Sequence, residues 1–502
     1  MDYILRHMNG IDLANPPVEQ ISDSGHAIRT QRKRSIATAV AVFLCVLGWL
    51  AFEIPKGTLT HTDELLTAER SREMLSMGPW VVHYNFQPSF EKPPLQYWLT
   101  TLTLPRLQNR TLAVRVWPLL YGCLTMVALG WLVFLVEPNR PWLIPLSLAM
   151  LSSSPLFSPE ASRGFLDIGL TFFTISAILF AQLARNRPVW WLGVAAASWL
   201  GSLQKFPMPF LVCLLIIVVR LTSCRERPKL LRRGWLVASM LLALATMAIW
   251  PLIQITKYGM SPGRLFHEQV VVWTGPDNLG IRPYFAVLYG LSTLGGACGL
   301  LSFLAAFVVL FSKKVRTSAG VREVAIVSLA VIGLAVVSNF RGVRYIVPIV
   351  PCLCFLLALL FHRFLEQGPV IRFRTTVLLI IVLSADFVHS AITIERRRKN
   401  VPDEKLIAEK LGALQQPQTK TILIKAEKPG GDLLWDSFYL FHGNCRFPVK
   451  PYTVDEMRSH PPEPPLIGAC VARDFPVIRD VYPNVQVELV RAQFICWQVD
   501  TR

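Results

Sequence analysis

Long apolar runs separated by short polar connections fill the first four fifths of the chain. About eleven of them come near the ~20 residues that a helix needs to cross a ~30 Å hydrocarbon core. They cover residues 36–54, 113–136, 141–157, 164–184, 189–204, 207–222, 234–255, 284–311, 323–338, 344–363 and 375–393. Two stretches between the first two runs are helical in pattern without being long enough to span. Residues 63–77 place Leu66, Met74 and Met77 on one face, which predicts an interfacial helix with its Arg and Glu side chains toward water. Residues 94–105 are apolar but short, and Tyr97 and Trp98 suit the head-group level. Beyond about residue 394 the pattern changes. A helix is expected over 403–414 and strands over 421–425, 466–472 and 485–499, which together predict a small α/β domain. The expected fold is an all-α polytopic membrane protein with juxtamembrane helices and an appended α/β domain. Its expected parts are a basic cytoplasmic tail at 1–35, a membrane domain at 36–393 containing a first extracytoplasmic loop at 55–112, and an extracytoplasmic domain at 394–502.

The formal net charge of +18 on 502 residues does not point to nucleic acid, because the basic residues concentrate in the connections between apolar runs. The connections at 137–140, 185–188, 223–234, 312–322 and 362–374 all contain Arg or Lys, and Arg29, Arg32, Lys33 and Arg34 precede the first run. Positive-inside orientation therefore predicts a cytoplasmic N-terminus, with anionic membrane lipids as the electrostatic partner. The chain is 17% charged and 52% hydrophobic, and its mean hydropathy is +0.42. Both values fit the membrane reading. Cys445, Cys470 and Cys496 fall in the C-terminal part, where two of them could pair outside the cytoplasm and leave one free.

The first loop concentrates the chemistry. It carries Asp63 and Glu64, then Glu69, Arg72, Glu73, Met74 and Leu75, then Gly78 and Trp80, then Glu91, Lys92, Pro93, Pro94, Leu95, Tyr97 and Trp98. This string resembles the first periplasmic loop of the bacterial aminoarabinose (lipid A) transferases and their relatives, the polyprenyl-phosphate-mannose protein O-mannosyltransferases. Weaker matches follow in order. They are Leu166-Asp167 with Thr171, Phe172 and Phe173; Lys205-Phe206-Pro207, with Phe where the family has Gly; Phe266-His267-Glu268; Pro283-Tyr284; and Arg344-Tyr345 leading to Pro348.

The resemblance implies a C-type glycosyltransferase fold and a polyprenyl-phosphate sugar donor. It implies an acceptor such as lipid A, a protein hydroxyl or another envelope glycan, at the outer face of a bacterial inner membrane. Charge developing on a phosphate leaving group needs cations nearby. Lys92 and Arg72 are the first expectations, with Lys205 and Arg344 next, and Glu91, Tyr97 and Tyr345 complete the substrate-binding set. Asp63 is the expected base or acceptor-orienting carboxylate, with Glu64 and Asp167 as further catalytic carboxylates. No cofactor is required by this chemistry. Glu91 and His267 could share a divalent ion. On their own, Asp63 reads as a helix cap, Lys92 and Arg344 as snorkelling anchors, Asp167 as a dipole-stabilising first-turn acid and His267 as an interfacial histidine. A transporter is the rival class, and it would place charges near mid-span in two related halves. The spans show almost no central charge and no internal repeat.

Overall fold

The computed structural model describes residues 18–205, 207–222, 234–267, 296–312, 318–337, 343–424 and 436–500. The membrane domain begins with α1 (Val18–Glu53). The first loop then holds α2 (Thr62–Met77), a two-stranded ribbon β1 (His83–Tyr84) and β2 (Gln87–Pro88), and α3 (Leu95–Thr103). There follow α4 (Arg110–Val136), α5 (Leu143–Ser153), the single turn α6 (Ser158–Ala161), α7 (Asp167–Leu183), α8 (Trp191–Gln204), α9 (Met208–Leu221), α10 (Gly234–Tyr258) and α11 (Pro262–Phe266). The domain ends with α12 (Gly296–Phe311), α13 (Ala319–Val337), α14 (Val350–Leu365) and α15 (Pro369–Arg397). Each of the eleven expected runs holds a helix among its described residues, although 154–157 at the end of the third run are not helical. The last but one opens as a 3₁₀ segment, Val343–Ile349, before α14. The connection at 223–233 and the segment 268–295, with Glu268, Pro283 and Tyr284, lie outside the described residues.

Among the described residues, five helical segments are long and apolar enough to cross a membrane: Thr30–Glu53, Arg110–Val136, Gly234–Tyr258, Tyr345–Leu365 and Pro369–Arg397. Burial sorts them. The residues of α14 from Val350 to Leu359 are buried throughout, so this helix forms the middle of the bundle, packed on α5 and α12. By contrast α1, α10 and α15 expose Phe52, Leu241, Phe373 and Ile381. Such apolar surface is stable where the solvent is lipid.

One charge does sit mid-span. Asp386, in the interior of α15, is 2% exposed. Its two carboxylate oxygens accept the backbone N–H groups of Ala297 and Cys298, each at 2.8 Å, at the start of α12. The carboxylate thus satisfies orphan donors at a helix end, and the positive helix terminus offsets its charge.

The C-terminal domain comprises α16 (Pro402–Leu414), β3 (Lys420–Ile424), α17 (Asp436–His442), β4 (Val449–Tyr452), α18 (Val454–Ser459), β5 (Leu466–Val471), α19 (Phe475–Val481), β6 (Gln486–Arg491) and β7 (Phe494–Val499). The sheet order is β4-β3-β5-β7-β6, with β4, β3 and β5 parallel and β7 and β6 antiparallel. Strand alternation builds two cores. Leu423, Ala469 and Cys496 pack under Ile407, Leu411 and Phe441, whereas Ile422, Cys470 and Trp497 pack under Met457, Phe475 and Ile478. Gly468 is required there, because a Cβ would stand 2.2 Å from the Trp497 ring. The expected single strand over 485–499 is instead the β6–β7 hairpin. Its turn holds Ala492 at a φ of 46°, with no Gly, Asn or Pro to signal it. Cys445, Cys470 and Cys496 are each buried and unpaired.

The two domains share a core. Leu59, Leu65, Ala68 and Val114 from the membrane side join Ile407, Phe438 and Phe441. The Asn85 amide pairs with both backbone groups of Val449, at 2.8 Å each.

Candidate active site

Helix α2 organises the site because its three faces meet three different partners. Residues seven apart on a helix differ by only about 20° in direction, so Asp63 and Arg70 share a face with Thr67 and Met74. That face meets α3, where Met74 packs with Tyr97, Val82 and Leu166. Glu64 and Ala68 lie about 100° away, facing the start of α4. Glu69, Arg72 and Glu73 face the C-terminal domain. The helix is therefore covered along most of its length, and only its last turn, with Leu75 and Met77, is exposed. This corrects the expectation that its charges face water: Glu64, Glu69, Arg70 and Glu73 are all buried. Burial of Glu64, Glu69 and Arg70 is tolerated because each has an oppositely charged partner.

The α3 face carries the cluster of interest. Arg70, 4% exposed, donates to the Tyr97 hydroxyl at 3.0 Å and to Glu91 at 2.7 Å. Burial works against the Arg70 cation, but Tyr97 and Glu91 raise its pKa above the ordinary arginine value. Glu91 also accepts from Lys92 at 3.3 Å. Burial pushes the Lys92 ammonium below its ordinary value; Glu91 opposes this, and the charge of Lys205 adds to it. Lys205 closes the group. It ends α8, pairs with Asp167 at 2.7 Å and lies 4.8 Å from the centre of the Tyr345 ring. Asp63, in the first turn of α2, is close enough to Tyr97 that its charge helps raise the phenol, a shift due first to burial. A hydrogen bond between two buried amides fixes the spacing of these groups: Gln204 donates to Gln96 at 3.1 Å, next door to Lys205 and Tyr97. Three cations thus converge with three carboxylates from four separate segments. Within this arrangement the cations can exchange a carboxylate for an incoming phosphate.

Behind it, Glu64 is fully buried. It accepts from Arg115 at 2.7 and 3.1 Å, from Arg163 at 3.4 Å and from the Gly164 N–H at 2.9 Å. Burial pushes its carboxyl up, but the two guanidinium groups hold it below the ordinary carboxylate value. Arg163 is itself lowered to about 10, by burial and by the charges of Arg115 and Arg397, with Glu64 opposing. Arg163 also donates to the Arg397 carbonyl, and Arg397 pairs with Glu160 at 3.2 Å.

No protein-family model matches the chain. An undecaprenyl phosphate-alpha-4-amino-4-deoxy-L-arabinose arabinosyl transferase of Yersinia pestis (strain Pestoides F) is 29% identical over 164 residues, covering 32% of this chain and 29% of that protein. A second, of Sodalis glossinidius (strain morsitans), is 26% identical over 179 residues, 34% of this chain and 32% of that protein. The chain thus spans about a third of the length of the curated relatives it matches. Among solved structures, ArnT from Cupriavidus metallidurans bound to undecaprenyl phosphate superposes with a TM-score of 0.73 at 15% identity, over 92% of this chain and 97% of that one. The chain has the C-type glycosyltransferase fold. More distant examples of the C-type fold also superpose. The Archaeoglobus fulgidus oligosaccharyltransferase gives a TM-score of 0.56 at 10% identity, over 83% of this chain and 64% of that one. The mycobacterial arabinofuranosyltransferase AftD gives 0.58 at 12% identity, over 94% and 40%. The expected resemblance to the aminoarabinose transferases is borne out in sequence and in fold.

Within this C-type scaffold, Asp63, Glu91, Lys92, Tyr97, Asp167, Lys205 and Tyr345 come together. Glu64 lies in the buried ion network behind them. Arg72 is on the opposite face of α2, paired with Glu69 at 2.6 Å and stacked over Phe86. The Arg344 side chain lies outside the described residues. His267 is exposed at the end of α11, and both Glu91 oxygens are engaged by cations. No group of three metal-ligating side chains occurs among the described residues. Sequence reasoning passed over Arg70, although its heptad spacing from Asp63 was readable. It also passed over Gln96 and Gln204, which are amides near the ends of apolar helices, and the partners of Glu64.

The face of α2 toward the C-terminal domain carries a proton. Glu73 accepts the Phe86 N–H at 3.0 Å through Oε2, while its Oε1 meets no N–H donor. Burial first, and then the charge and hydrogen bond of Glu69, push the Glu73 carboxyl up to about 8. Its ordinary value is 4.5, so between the two values the folded chain holds a proton that the unfolded chain has lost. Stability is full below the lower value, falls as pH rises and levels off above the upper one. Glu73→Gln keeps the hydrogen bonds without the titration. We expect its melting temperature to exceed that of the wild type above about pH 8, with the difference vanishing in acid. Parallel curves for the two proteins would show that the carboxyls do not share a proton.

Proposed function

We propose that the protein is an inverting glycosyltransferase that moves one sugar from a polyprenyl-phosphate donor to an acceptor at the outer membrane face. The acceptor we favour is lipid A, in keeping with the aminoarabinose transferases that the first loop and the fold resemble. The reading includes a bacterial inner membrane, a cytoplasmic N-terminus and an extracytoplasmic C-terminal domain. Lys92 and Lys205 at one site, with Arg70 locked beneath them, carry the proposal. Cations in a partly dry site stabilise developing phosphate charge far better than water does.

In the step we envisage, the acceptor oxygen forms a bond to the anomeric carbon as the bond from that carbon to the phosphate oxygen breaks. The electron pair leaves with the polyprenyl phosphate, where Lys92 and Lys205 receive it. Arg70 holds Glu91 and Tyr97 in place. Asp63 takes the proton of a hydroxyl acceptor, or orients one that is already a phosphate anion. Displacement by a single nucleophile inverts the anomeric centre. A divalent ion is not needed for this sequence.

The test is transfer itself. Purified protein with radiolabelled undecaprenyl-phosphate aminoarabinose and lipid A should place label in lipid A, and Asp63→Asn should not. Consumption of donor only when another acceptor is supplied would overturn the lipid A assignment. A folded protein that consumes no polyprenyl-phosphate sugar would overturn the reaction class.

A further inference from the structure

A polar cavity, of about 870 Å³, opens between the C-terminal domain and the connections that follow α1 and precede α4. It shares no residue with the Lys92 cluster. Pro55, Gly57 and Thr58 form its membrane-side wall, with the start of α4; α16 and the end of α17 form the other. Its volume lies within the range of small-molecule sites.

The construction of the walls is exacting. Gly412 of α16 meets Gly443 backbone to backbone, and a Cβ on Gly412 would fall 1.8 Å from the Gly443 carbonyl oxygen. Asn109 is spent on the wall itself: its side chain accepts the Leu112 N–H and donates to the Pro55 carbonyl. His442 is likewise committed, bonded to the Leu59 carbonyl, and burial drives it down to about 4, so it adds no charge near neutrality. The charge that remains is unbalanced. Arg110, which donates to the Phe441 carbonyl at 3.2 Å, lines the cavity with Lys405 and Arg446 against the single carboxylate of Glu409. Lys405 and Glu409 are only loosely joined, at 3.7 Å, and both are about half exposed. Arg446 and Asn444 are exposed at the rim. The amides of Gln108 and Asn444, the Thr58 hydroxyl and the excess cations suit a ligand that is hydroxyl-rich and anionic. The cavity also abuts the ends of two membrane helices, within reach of a molecule whose tail lies in the bilayer.

We propose that this cavity binds a phosphate-bearing, hydroxyl-rich head group, independently of the donor site. The ligand chemistry has two sources, a membrane lipid or a free sugar phosphate, and the experiment separates them. Full-length protein in phosphatidylcholine nanodiscs is titrated calorimetrically with glucosamine 6-phosphate and with glucosamine. Glucosamine 6-phosphate should bind and glucosamine should not match it. Reversing two exposed charges in Lys405→Glu/Arg446→Glu should weaken binding about tenfold or more, the size expected for losing charge-assisted hydrogen bonds. Its melting temperature should stay that of the wild type. Lys92→Ala should bind as the wild type does. Adding phosphatidylglycerol to the discs should depress binding of the soluble probe if lipid is the natural source, and leave it unchanged if free sugar phosphate is. The proposal falls if glucosamine 6-phosphate does not bind. It falls too if the double variant binds it unchanged, or if Lys92→Ala abolishes binding.

Discussion

Lys92→Ala is expected to lower the turnover of donor by about 10²–10³-fold, the loss seen when one preorganised group facing developing charge is removed. Lys92 is held between Glu91 and Lys205 at the end of the loop leading into α3. Its role falls on the departing phosphate, so the loss should appear in kcat more than in KM. The Glu91 partner, 53% exposed, stays hydrated when Lys92 is gone, and Arg70 still neutralises it. Stability should therefore hardly change. Lys92→Arg should restore part of the rate, since it keeps the charge with a different donor geometry. Steady-state kinetics with melting temperatures check this. Equal falls in rate and in melting temperature would make Lys92 a structural residue.

Glu64→Ala should be the most destabilising single change in the first loop. It strands the buried guanidinium groups of Arg115 and Arg163 and leaves the Gly164 N–H without its acceptor. Breaking a buried pair from one side costs about 3–5 kcal/mol, because the remaining charge stays desolvated. The effect should reach the active site, since Glu64 adjoins Asp63, and the Gly164 that it anchors lies three residues before Asp167. Folded yield and melting temperature in detergent measure the loss. A variant that melts with the wild type would show that the network is hydrated and loosely held.

Much of the scaffold was legible from one property, the length of each apolar run. Each of the eleven runs holds a helix among its described residues, and α3 was expected as a short apolar helix. The first loop was legible as the candidate site because ionisable residues gather there. What escaped has a common cause. A helix whose charged residues are buried in pairs has the same sequence as one whose charges face water. The surroundings of Glu64 and Glu69 were therefore hidden until their partners at Arg115, Arg163 and Arg72 were placed. The emphasis on Arg72 over Arg70 has the same origin, since only α3 and the C-terminal domain decide which face of α2 looks inward. Asp386 escaped because its partners are backbone N–H groups, which leave no mark in a sequence. The β6–β7 turn escaped because Ala492 adopts a left-handed conformation that alanine seldom takes.

The central claim is that Lys92 and Lys205 receive the phosphate of a polyprenyl donor. The direct measurement is a cryo-electron microscopy structure of the protein with undecaprenyl phosphate. The account predicts phosphate oxygens within hydrogen-bond reach of both ammonium groups, with the Glu91–Lys92 and Asp167–Lys205 pairs opened or shared. A phosphate bound elsewhere, with both pairs intact, would contradict it.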